Sequence, residues 1–190
     1  MGTLRSRDLP PDLRLLVHKQ HPTLVDAPGN RGLPFERRIK ADFSVLETAG
    51  IARLRMLPVP TAPTGGMNRV LCGTADFDAF GWAMGPMDGG VFVGVELKST
   101  NKKKRSLPIA EKSGLRIHQL DALASLAHAG GIARLLWSNG GQVGVLRNRG
   151  ILEAHERYYD GGRGTKSIPW SCFEAVKEVT FEGAAILGWL

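Results

Sequence analysis

The apolar positions of this chain change period several times, and each change marks an element. Phe35, Ile39, Phe43, Leu46 and Ala49 recur at helical spacing after Pro34, which a first turn tolerates, and Gly50 supplies a stop, so a helix is predicted there. Residues 51–59 read as a strand, while residues 58–67, with three prolines and two glycines, read as a loop or an extended excursion from the core. Residues 70–83 and 91–98 read as two strands joined by the turn-forming segment 84–90, an antiparallel hairpin. A helix follows over about residues 117–129, with Ile117, Leu120, Ala124 and Ala127 on one face and Gly130-Gly131 ending it.

A second hairpin joins residues 132–137 to 142–146 through Ser138-Asn139-Gly140-Gly141, which contains a strong Asn-Gly turn signal. The tail holds a short helix near residues 151–159, a Gly-rich basic loop at 161–166 and an apolar end over 184–190. The order α-β-β-β-α-β-β predicts an α/β or α+β layer fold whose mixed central sheet is flanked by helices, of which α/β is preferred. One domain is expected over residues 33–190, preceded by a basic, flexible arm over residues 1–32 that is rich in Arg, His and Pro.

Composition narrows the partners. A chain of 190 residues with 43% hydrophobic content buries one respectable core. Its 25 Lys+Arg against 18 Asp+Glu give a net charge of +7, and the sequence pI is near 9.8, which favours a polyanion such as nucleic acid. Cys72 and Cys172 have neither metal-ligand spacing nor the density of a disulfide framework, so reduced thiols and a cytoplasmic setting are expected. The apolar runs are too short to span a bilayer and the first residues lack a signal-peptide core, so neither secretion nor a membrane partner is expected.

Against this background the end of the run Val91-Phe92-Val93-Gly94-Val95-Glu96-Leu97-Lys98 stands out, because a buried-strand pattern closes on a carboxylate and an ammonium. Alternation puts Phe92, Gly94, Glu96 and Lys98 on one face. If the hairpin is centred near Met87, opposed residue numbers sum to about 174, placing Asp76 across from Lys98 and diagonal to Glu96. Asp78, on the same face two residues further along, is the main rival to Asp76, and Asp88 in the turn is a weaker one. A Glu-x-Lys tripeptide alone is most often an ion pair on a solvated strand face. The hydrophobic strand, the upstream Asp in register and the basic run Lys102-Lys103-Lys104-Arg105 just beyond it together favour a reactive centre.

Phosphodiester hydrolysis requires an in-line water, a means of deprotonating it and positive charge where the transition state accumulates negative charge. Asp76 and Glu96 offer oxygen ligands suited to Mg²⁺, which is commonly held by one or two carboxylates plus substrate phosphate. Lys98 is placed to serve the attacking water, and Glu36 on the first helix is the candidate to complete the metal shell.

An ordered series of motifs then resembles the RecU-type Holliday junction resolvases of the PD-(D/E)xK nuclease superfamily. It runs through Asn30-Arg31-Gly32 with Phe35-Glu36 and Ile39, Thr74-Ala75-Asp76-Phe77, and Val95-Glu96-Leu97-Lys98-Ser99-Thr100. Ser106-Leu107-Pro108-Ile109, Ile117-His118-Gln119-Leu120, Gly130-Gly131-Ile132 and Lys166-Ser167-Ile168 follow in the family's order. The resemblance implies a restriction-endonuclease-like core, a homodimer, Mg²⁺ dependence with Mn²⁺ substituting, no nucleotide cofactor, and paired symmetrical nicks across a four-way DNA junction in a bacterial or phage-infected cell. By motif, Glu36, Asp76, Glu96 and Lys98 take catalytic positions, with Glu36, Asp76, Glu96 and Thr74 around the metal. Arg31, Lys102, Lys103, Lys104, Arg105 and Gln119 are the expected DNA contacts, Gln119 alternatively supporting the centre from behind. Two departures mark a phage-borne or diverged member: residues 58–67 are shorter than the family's junction-inserting stalk, and the turn 84–90 is longer. A duplex- or damage-directed nuclease of the same superfamily and a non-catalytic junction-binding module are the alternatives.

Overall fold

The structure, a computed structural model, describes residues 33–57, 61–64, 67–70, 75–85, 89–109, 114–160, 166–181 and 184–190. The basic arm over 1–32 with Arg31, the residues Thr74 and Asp88, and all but the last residue of the Gly-rich loop lie outside the described residues.

The chain forms an α/β fold around a mixed six-stranded sheet of order β1-β4-β5-β7-β8-β10. These strands span Ala52–Met56 (β1), Ala79–Met84 (β4), Gly90–Thr100 (β5), Ile132–Asn139 (β7), Gln142–Leu146 (β8) and Glu174–Ala175 (β10), while β6 (Ser106–Pro108) and β9 (Ser167–Pro169) pair with each other apart from the sheet. β5 and β7 run parallel, and every other pairing in the sheet is antiparallel. Three α-helices are present among the described residues: α1 (Leu33–Thr48), α2 (Ile117–His128) and α3 (Asn148–Tyr159). The predicted helix over residues 34–50 is α1, and Gly50 ends it at φ +70°, a conformation a Cβ would strain. Among the described residues no helix is long and apolar enough to cross a membrane.

Each face of the sheet buries one core. On one side α1 lays Phe35, Ile39, Phe43 and Leu46 against Leu54, Val93, Val95 and Leu97, joined by Ile186, Leu187 and Trp189. On the other, α2 and α3 cover Ala133, Leu135, Trp137 and Leu146. β5 and β7, the central pair, are accordingly buried on both faces through their middle residues, as a parallel pair inside an α/β fold is.

Three expectations change. The single strand predicted over 70–83 is interrupted: residues 75–78 lie in no strand, β3 (Met67–Val70) ends at Val70 and β4 begins at Ala79. The excursion over 58–67 contributes β2 (Thr61–Thr64), which pairs with β3 as a separate antiparallel hairpin. Asn139 belongs to β7, opposite Gln142, and the turn proper is Gly140-Gly141 at φ +59° and +86°, the double positive-φ geometry of a tight two-residue hairpin.

The last described strand, β12 (Ala184–Leu187), pairs with β11 (Glu178–Phe181) and is clamped by two buried charged residues. Leu187 N–H donates to Asp42 Oδ2 at 3.2 Å, and Arg134 Nε donates to the Trp189 carbonyl at 3.0 Å. Burial raises the Asp42 carboxyl to about 6 even though Leu187 N–H and Arg38 oppose the shift. Because the folded value lies above the unfolded one, the folded state holds this proton more tightly. The associated stability is fully present below about pH 4 and is lost as pH rises through about 6. Thermal stability is therefore expected to fall by up to about 3 kcal/mol between pH 4 and 7, and Asp42→Asn to flatten that slope. A melting curve with the same pH dependence in the variant rules Asp42 out as its source.

Candidate active site

Strand β5 delivers the centre. The β4–β5 register pairs Ala79 with Val95, Phe80 with Gly94 and Trp82 with Phe92, each sum being 174 as the sequence implied. Carried one step further, that register faces Asp78 toward Glu96. Asp78 N–H donates to the Val95 carbonyl at 3.0 Å, and Leu97 N–H donates to Asp78 Oδ2 at 2.8 Å. A side-chain oxygen thus satisfies the strand where a ladder carbonyl otherwise would, and the ladder ends there. Asp76, just upstream, consequently sits exposed on a bend and does not continue the ladder toward Lys98.

Glu96 has no solvent exposure, and its Oε2 has no hydrogen-bond partner. Its Oε1 accepts from Lys98 Nζ at 2.5 Å, and the Asp78 charge lies close enough to act on it. Burial, with the Asp78 charge second, pushes the Glu96 carboxyl up to about 8; the Lys98 ammonium opposes the shift without cancelling it. Glu36, in the first turn of α1, is raised too, by burial and then by the charge of Asp78. Electrostatically, then, Glu36, Asp78 and Glu96 form one acidic cluster.

Lys98 is held from two sides. Its Nζ donates to Glu96 Oε1 and, at 3.1 Å, to Gln119 Oε1 in the first turn of α2. The same Gln119 oxygen accepts Arg116 N–H at 3.1 Å, the reach-back by which a third-position Gln caps a helix. Gln119 is buried, so it is positioned to orient Lys98 rather than to reach a strand lying on the surface. Close packing of α2 requires a glycine beside the centre: a Cβ on Gly94 would lie 2.7 Å from Leu126 Cδ2 and 2.8 Å from Phe77 Cε1.

Lys102, Lys103, Lys104 and Arg105 are exposed, and the backbone beneath them is fixed by a residue that sequence reasoning placed in a turn. Buried Asn139 accepts Lys104 N–H at 2.7 Å and donates to the Lys104 carbonyl at 2.9 Å. It also accepts from Thr100 Oγ1 at 3.1 Å, tying the run to the end of β5. The sequence signal was an Asn directly before a Gly-Gly turn, which serves turn and anchor equally.

Of the four tryptophans, Trp137 and Trp189 are fully buried and Trp170 stacks on Phe173, whereas Trp82 is 56% exposed. No protein-family model and no curated protein matches this chain.

The orphaned, buried Glu96 oxygen beside a second carboxylate fits a hard divalent cation. Among the described residues no three such groups are close enough to enclose an ion by themselves. Mg²⁺ does not need that, since it keeps several waters and commonly takes one or two carboxylates.

Proposed function

We propose that this protein is a Mg²⁺-dependent endonuclease of restriction-endonuclease-like fold that resolves four-way DNA junctions as a homodimer, by paired symmetrical nicks. The observation that carries the reading is Glu96: buried, one oxygen unpartnered, beside Asp78, and two residues from a lysine fixed by Gln119. A purely structural ion pair would not leave a buried carboxylate oxygen unsatisfied.

Glu96 and Asp78 would hold the cation, with Glu36 acting from the helix side through water. Bound Mg²⁺ supplies Lewis-acid stabilisation of the phosphate and lowers the pKa of a coordinated water. Lys98 Nζ, pinned between Glu96 and Gln119, orients the attacking water and places positive charge where the phosphoryl oxygens gain negative charge. The anchored run Lys102 to Arg105 grips phosphates beyond the centre.

A synthetic four-way junction and the corresponding linear duplex, each with Mg²⁺, provide the test. Paired symmetrical nicks in the junction are expected, together with little cutting of duplex. Preferential duplex cleavage points to the related nuclease reading; binding without cleavage under Mg²⁺ and Mn²⁺ points to a non-catalytic junction binder.

A further inference from the structure

Strand β4 is built inside out. Its buried positions are the small residues Ala79, Gly81 and Ala83, while its large residues Phe80, Trp82 and Met84 are 38%, 56% and 61% exposed. Burying the large side chains and exposing the small ones would be the ordinary arrangement, so an exposed row of this kind marks a contact surface. Phe92 of β5 joins the row: its ring centroid lies 5.4 Å from Trp82, edge to face, and 6.0 Å from Phe80. On β1, Arg53 stands opposite Trp82 and Arg55 opposite Phe80, but both guanidinium groups are paired with Glu47 of α1.

This face is continuous with the acidic centre. Asp78, Phe80 and Trp82 follow at two-residue intervals on one side of the chain, so Phe80 lies about 7 Å from Asp78. On β5 the stretch between Phe92 and Glu96 is covered at Gly94, where Leu126 of α2 and Phe77 pack. Beyond Glu96 in the opposite direction come the exposed cations Lys102 to Arg105. A polyanion passing Asp78 from the basic run is therefore delivered onto these aromatic rings. Trp82 and Phe80 recur at a two-residue interval of about 7 Å along the strand, roughly twice the 3.4 Å rise per nucleotide of a duplex strand. That interval suits an extended strand with its bases unstacked.

We infer that Phe80, Trp82 and Phe92 form a stacking platform for unpaired bases of the DNA strand that leads into the Asp78–Glu96 centre. The inference rests on the nuclease reading and adds a substrate preference to it: DNA opened next to the cut. Base–aromatic stacking tolerates any sequence.

The test is binding by the full chain in EDTA, which separates it from cleavage. Fluorescence anisotropy compares a blunt duplex with the same duplex carrying a short single-stranded arm. Armed DNA should bind about tenfold more tightly, and Trp82→Ala should remove that advantage while leaving blunt-duplex affinity and the melting temperature unchanged. Trp82→Phe should retain most of it. The slope of log affinity against log salt should be unaltered by Trp82→Ala but reduced by about two in a triple Lys102, Lys103, Lys104→Ala variant. Equal losses on armed and blunt DNA, or no loss on either, overturn the platform. Conversion of a wild-type dimer to a monomer by Trp82→Ala, measured by sedimentation, also overturns it by making the face a subunit contact. Absence of cleavage together with Trp82-dependent preference for armed DNA sinks the nuclease reading alone.

Discussion

Asp78→Asn is expected to reduce Mg²⁺-dependent junction cleavage by at least about a thousandfold, whereas Asp76→Asn should cut at close to the unsubstituted rate. The two aspartates are two residues apart in a segment where motif order favours the first. Geometry favours the second: Asp78 accepts Leu97 N–H and its charge acts on Glu96, while Asp76 is exposed on the bend. Asparagine at 78 keeps an oxygen for Leu97 N–H but removes the negative charge a hard cation requires. Junction binding in EDTA should survive in both variants, so a loss in Asp78→Asn reports on chemistry and not on folding. Equal activity of the two variants, or the reverse order of loss, excludes Asp78 from the metal shell.

Mg²⁺ binding is expected to release a proton and to strengthen with pH up to about 8. Glu96 carries that proton in the metal-free protein, because burial and the Asp78 charge raise its carboxyl to about 8. Its folded value exceeds the unfolded one, so the stability it contributes is fully present below about pH 4.5 and is lost as pH rises through about 8. A cation replaces the proton as the partner of the buried carboxylate and returns that stability at high pH. Below pH 8, each unit should weaken the apparent Mg²⁺ affinity by up to about tenfold, or about 1.4 kcal/mol. Calorimetry in buffers of different ionisation enthalpy counts the released protons directly. Glu96→Gln should abolish both the release and the Mg²⁺-induced rise in melting temperature at pH 8; a proton count of zero in the unsubstituted protein removes Glu96 from the site.

Much of the architecture was legible in the chain. The helices, both hairpins of the central sheet and the residue sum of 174 follow from period changes and turn residues, which are local properties. The charged close of β5 was legible for the same reason, since alternation alone puts Glu96 and Lys98 on one side. Motif order identified Gln119 as well, but not its burial against Lys98.

Other features depended on contacts between segments distant in sequence. Whether Asp76 or Asp78 meets Glu96 turns on where the β4–β5 ladder stops, and the Asp78 carboxylate itself stops it. Asn139 reads as a turn residue until Thr100 and Lys104 are brought beside it. The alternation of small and large residues along β4 was visible from the start, but a period of two does not say which face is buried. That was decided by α1 packing on the side of Ala79 and Ala83, and by α2 packing at Gly94 on the other. The sequence by itself determined the three helices, the two hairpins of the central sheet, the β4–β5 register and the chemical groups available, because those follow from spacing along one segment. Tertiary structure alone decided which carboxylates share a low-dielectric site and which aromatic rings remain exposed, because burial depends on what packs across the sheet.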